Sequence, residues 1–121
     1  MLEDIIEIIK YESEGTHVDF KSQEYKLGKY VKKNELLKDF SAMANHPSNK
    51  PKYILIGIKE ENGMAAKFVD IEEPTDQAKY QQFIDEYIEP KIDFKYIHFE
   101  YEKTQLAAFV ISNNHQRPYL F

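Results

Sequence analysis

The sequence predicts an α+β fold, with a mixed or antiparallel sheet packed against two to three helices. Three observations point there. Helical-period and alternating segments mix without a strict βαβ repeat. One stretch, "KYILIGI", is almost wholly apolar, as a central strand covered on both faces must be. The chain also closes on two long alternating runs joined by a short turn.

The elements follow in order. Residues 2 to 11 place Leu2, Ile5, Ile6 and Ile9 at helical spacing, and "EGTH" ends that helix. Thr16, Val18 and Phe20 then alternate with His17, Asp19 and Lys21, the period of a first strand. Residues 22 to 33 form a lysine-rich connection around Gly28. A helix from about Lys33 to Asn45 buries Leu36, Leu37, Phe40, Met43 and Ala44, with Asn34 as its N-cap. The prolines of "NHPSNKP" cannot continue it. "KYILIGI" follows, and Gly57 within it marks a bulge or a close backbone approach. "KEENG" is a turn and residues 65 to 70 a return strand. "EEPTDQAKYQQFIDEYIEP" is a helix with Pro74 near its start and Pro90 past its end, burying Tyr80, Phe83, Ile84 and Tyr87. Two strands, about Ile92 to Tyr101 and Gln105 to Ser112, are joined by "EKT".

A chain of 121 residues argues for one domain, residues 1 to 121, able to bury roughly two-thirds of its unfolded surface. The apolar ending "RPYLF" leads us to expect the N-terminal part of a longer protein. With no cysteine there is neither a disulfide framework nor a thiolate metal site. "MLEDIIEIIKYE" is too short and acidic for a secretory signal, and no apolar run approaches the roughly 20 residues of a membrane span. A cytoplasmic protein is expected. The four glycines (15, 28, 57 and 63) never take the spacing of a P-loop, which argues against ATP hydrolysis on this segment.

The net charge is −5, yet residues 21 to 59 carry nine lysines against three acids (Glu24, Glu35 and Asp39). Such asymmetry is the footprint of a local basic surface, although lysines also solvate ordinary helices. Lys21, Lys26, Lys29, Lys32, Lys33, Lys50 and Lys52 are the candidate phosphate contacts. Beside them stands "EGTHVDFK". Asp19 and Lys21 share one strand face, and Gly15 can break the pleat so that Glu14 swings round to join them. Glu60 follows the central strand, where side chains are free to converge on a cleft. Carboxylates gathered in this way suit Mg²⁺ or Mn²⁺, and an adjacent ammonium suits a developing phosphorane. Glu14, Asp19, Lys21 and Glu60 are therefore the candidate catalytic set, with Glu14, Asp19 and Glu60 as metal ligands. The alternative is three separate solvated acids. His17 is a candidate phosphate contact or proton carrier. His46, His98 and His115 lack zinc spacing. Asn45 suits a helix end, and the late tyrosines suit the core.

"EGTHVDFK", "LLKDFSAMAN" and "YILIGIKEENG", in this order, resemble the Schlafen AlbA-type domain. "YIEP" and "RPYLF" are similar to that family's later landmarks, so the resemblance spans roughly residues 10 to 121. It implies a nucleic-acid-binding domain that in bacteria often begins a transcriptional regulator. In animal relatives a duplicated version is an endoribonuclease clamping RNA between two lobes. The resemblance carries the nuclease carboxylates onto Glu14, Asp19 and Glu60, with Mg²⁺ or Mn²⁺ as the ion. A homodimer would rebuild the two lobes here. The loop "HPSNKPK" replaces the Gly-Gly pair of many relatives, and the acids at 19 and 60 are exchanged in kind. Three functions follow: a DNA- or RNA-binding module acting through residues 21 to 59, a metal-dependent ribonuclease, and a protein-interaction domain without nucleic acid.

Overall fold

The fold is taken from a computed structural model, which describes residues 1–27, 33–112 and 117–121, with residues 33 and 34 by their backbone alone. In chain order the elements are α1 (Leu2–Tyr11), β1 (Val18–Lys21), α2 (Lys33–Asn45), β2 (Lys52–Ile56), β3 (Ile58–Glu61), β4 (Met64–Phe68), α3 (Gln77–Tyr87), β5 (Phe94–Tyr101) and β6 (Thr104–Ile111). One sheet has the order β1-β2-β6-β5, and β3 and β4 form a separate hairpin. β1 runs parallel to β2, and the other neighbours are antiparallel. A parallel pair needs a crossover, which α2 supplies. The fold is α+β with a mixed sheet, as the sequence predicts.

Every residue of β2 is buried because both faces of the sheet are covered. Ile54 and Ile56 face the α2 and α3 side, where Phe109 sits among Phe40, Tyr80, Phe94 and Tyr96. Leu55 faces the other side, against Ile5, Ile8 and Ile9 of α1 and Val18 and Phe20 of β1. Removing one of these large side chains would cost about 2–5 kcal/mol.

Several boundaries differ from the sequence reading. "KYILIGI" is two strands. Gly57 separates them at φ +93°, and a Cβ there would lie 2.7 Å from both Leu106 Cδ2 and the Val69 carbonyl oxygen. The "KEENG" turn shrinks to Asn62 and Gly63, both at positive φ, because Lys59 to Glu61 pair with β4. The "EKT" turn shrinks likewise to Glu102 and Lys103, with Thr104 opening β6. α3 begins only at Gln77, three residues past Pro74. Tyr87 lies off the buried stripe and is 37% exposed. The exposed edge of β5 is covered by Gln77, whose amide donates to Phe94 O (3.3 Å) and accepts from Tyr96 N (3.1 Å). Among the described residues, no helix is long and apolar enough to cross a membrane.

Candidate functional site

The site grows from the edge of β1. Residues 14 to 17 are a bend, not strand, because Gly15 N–H turns back onto Val18 O (2.9 Å). The bend carries Glu14 over the strand edge, where its Oε2 accepts the outward Phe20 N–H at 3.0 Å. An edge N–H without a strand partner needs such an acceptor. The same bend brings Glu14 beside Asp19, and both line one cleft. Burial, and then Glu14, push the Asp19 carboxyl up to about 6.

Lys21 organises the rest. Its Nζ lies 3.3 Å from Asp19 Oδ2, 3.5 Å from Asp39 Oδ2 and 3.9 Å from Glu35 Oε1. Burial alone would lower this ammonium, but Asp19 and Asp39 outweigh it and hold it above the usual range. Tyr25 donates its hydroxyl to Asp39 Oδ2 at 2.5 Å, and burial followed by Asp39 pushes that phenol up. A cleft of about 440 Å³ opens here, lined by Glu14, Asp19, Asp39, Met43 and His46 among others. Asp39 and Glu35 were not foreseen as site residues. Their signal is helical spacing: 35, 39 and 42 fall on one side of α2, beside its buried stripe.

Glu60 is placed differently. It is exposed on β3, and its Oε2 accepts Gly63 N–H at 2.7 Å within its own hairpin. Gly63 O in turn accepts Glu14 N–H at 2.7 Å, so Glu60 and Glu14 meet through Gly63 without a hydrogen bond between their carboxylates. Among the described residues, no three of His, Cys, Asp or Glu are grouped to hold a metal ion. His17 lies before β1 begins. Its ring nitrogens reach Thr16 Oγ1 and Ser48 Oγ, both at 2.9 Å, and burial, then His46, lower its pKa.

The lysines divide. Lys26, Lys38, Lys50 and Lys59 are exposed, and none forms an ion pair among the described residues. Lys52 is only 2% exposed and donates to His46 O (2.8 Å), which also accepts from Arg117 Nη1 (3.1 Å). Two cations thus meet a carbonyl just past the end of α2, where the helix dipole favours them. Lys52 serves the fold there. Lys29, Lys32, Gly28 and His115 lie outside the described residues, as do the side chains of Lys33 and Asn34. Asn45 does not cap α2 with its side chain. It binds the main chain of Tyr119 instead. His98 Nε2 lies 2.9 Å from Thr75 O.

A family model described as Schlafen, AlbA_2 matches residues 14–121. A search of curated proteins found none that matches. Among solved structures the chain is similar to the DIP2311 protein from Corynebacterium diphtheriae, at 16% identity and a TM-score of 0.61. The similarity covers 98% of this chain and 23% of that one, so this chain spans about a quarter of that protein's length. It shows a shared fold.

Proposed function

Because the chain belongs to the Schlafen AlbA_2 family, we propose that it is a nucleic-acid-binding module gripping the phosphodiester backbone through the exposed lysines of the lysine-rich region 21 to 59. One observation carries this reading. Each of the three acids of that segment has a partner within the molecule: Glu24 and Asp39 are half-buried, and Glu35 is exposed beside Lys21. Glu24 accepts from Thr75 N–H (3.0 Å) and from the Tyr96 hydroxyl. Asp39 holds Tyr25 and Lys21, and Glu35 faces Lys21. Lys26, Lys38 and Lys50 meanwhile stand exposed without a counter-ion among the described residues. Lys29, Lys32 and Lys33 are candidate contacts from the sequence.

Lys21 has a different part. Enclosed by three carboxylates, it offsets charge that would repel a phosphate. At about 4 Å two like charges near a protein surface repel by up to about 4 kcal/mol. The backbone therefore runs past the acidic cleft, not into it. Contacts of this kind give largely sequence-independent affinity, with log K falling by about 0.9 per tenfold rise in salt for each duplex phosphate contacted. Fluorescence anisotropy with duplex DNA, duplex RNA and single-stranded RNA across a salt series tests the reading. Steeply salt-dependent binding to at least one of them is expected. No binding at low salt would leave the protein-interaction reading in its place.

The ribonuclease is the second reading, favoured by the cleft that Glu14 and Asp19 both line. The residues as arranged do not fit a shared Mg²⁺ or Mn²⁺. Lys21 stands between Asp19 and Asp39, and Glu60 is turned to Gly63. Cleavage of structured RNA in Mn²⁺ that Asp19→Ala abolishes would restore it, whereas equal activity of wild type and variant would remove it.

A further inference from the structure

The β3–β4 hairpin carries a feature that the fold alone does not explain. Lys59 and Lys67 are directly opposite one another across the two strands, and both are exposed. Like charges in this relation, with Cβ atoms about 5 Å apart, destabilise a hairpin. Neither lysine forms an ion pair among the described residues, and the adjacent Glu60 carboxylate is held by Gly63 N–H. The preceding pair, Ile58 and Phe68, packs toward the α1 side of the sheet. One residue along a strand reverses the side-chain direction, so the lysines point away from that core. Val18 and Phe20 pack into the same core, and Asp19 and Lys21 likewise turn from it.

The hairpin is also fixed to both ends of the site. At its base Gly57 N–H donates to Lys21 O, and at its tip Gly63 O accepts from Glu14 N–H, each at 2.7 Å. Gly57 at φ +93° makes the turn out of the main sheet that allows this.

We infer that the β3–β4 hairpin is a phosphate-gripping arm, in which Lys59 and Lys67 close on one backbone phosphate of a bound nucleic acid. An anion between the ammonium groups converts their repulsion into two charge-assisted hydrogen bonds. The inference rests on the nucleic-acid reading and extends it beyond the lysine-rich segment, since Lys67 lies on the return strand.

The test compares wild type, Lys67→Glu and the double variant Lys59→Gln/Lys67→Gln. Anisotropy at about 50 and 200 mM salt uses the nucleic acid that wild type binds best, with thermal denaturation of each protein. Losing one phosphate contact lowers the salt slope by about 1, so the variants' deficit should be about three- to fourfold larger at the lower salt. Lys67→Glu should melt at or above the wild-type temperature, because it places opposite charges across the strands. Folded variants that bind like wild type at both salts would overturn the arm while leaving the nucleic-acid reading intact. A wild type that binds no nucleic acid would overturn both.

Discussion

The side-chain amide of Asn45 makes two hydrogen bonds to the main chain of Tyr119. It donates from Nδ2 to Tyr119 O at 3.0 Å and accepts Tyr119 N–H on Oδ1 at 2.6 Å. The last residue of α2 thereby holds the closing segment as a neighbouring strand would. Leu120 is exchanged with Glu89 through a reciprocal pair of main-chain bonds just beyond it.

Asn45→Ala leaves both Tyr119 main-chain groups without that partner. An unsatisfied buried group costs about 1–3 kcal/mol. Chemical denaturation should show a loss in that range, and Asn45→Asp, which sets a carboxylate oxygen against Tyr119 O at the C-terminal end of α2, should not recover it. Wild-type stability in Asn45→Ala would mean that the closing segment is not held by this contact.

Asp19 gives a pH dependence. Its carboxyl is raised to about 6 in the folded protein, by burial first and then by Glu14, against about 3.9 unfolded. The folded state therefore binds the proton more tightly, and the stability associated with this group falls as pH rises from about 4 to about 6. Solvent screening at this partly exposed site limits the effect to about 1 kcal/mol. Asp19→Asn should remove that component, so the wild-type and variant stability curves diverge across this window. Parallel curves would contradict the placement of Asp19 against Glu14.

Gly57→Ala should lower stability by at least about 1–3 kcal/mol, from the left-handed backbone at φ +93° and the 2.7 Å approaches of Val69 O and Leu106 Cδ2. Thermal denaturation measures it. A variant as stable as wild type would mean that β2 and β3 need no sharp break.

Lys52→Met separates fold from binding. Removing the ammonium beneath His46 O should lower stability by about 1 kcal/mol, while the folded protein keeps wild-type affinity for nucleic acid. Reduced affinity in a fully folded variant would place Lys52 on the binding surface.

The fold was legible because its signals are local and redundant. The unbroken apolar run of β2, the stripe of Leu36, Leu37, Phe40 and Met43, and the prolines around α3 each identify an element by period or by breaker. The break at Gly57 was visible as a glycine but not as a change of sheet, since that depends on Leu106 and Val69 arriving from elsewhere. The site was legible in part. The spacing of Asp19 and Lys21 put them on one face, and Gly15 marked the bend that brings Glu14 to them. Asp39 was missed because it looks like an ordinary solvated helix residue until the crossover sets α2 beside β1. Lys52 reads as one more surface cation. Its burial follows from the path of the loop after α2, which charge patterning does not encode.

The exposed lysines of residues 21 to 59 are the proposed grip on a phosphate backbone. Its most direct measurement is the salt slope of nucleic-acid binding for wild type and for Lys26→Glu/Lys38→Glu/Lys50→Glu. A folded triple variant should bind more weakly, with a slope smaller by about 2 to 3. An unchanged slope and affinity would contradict the account.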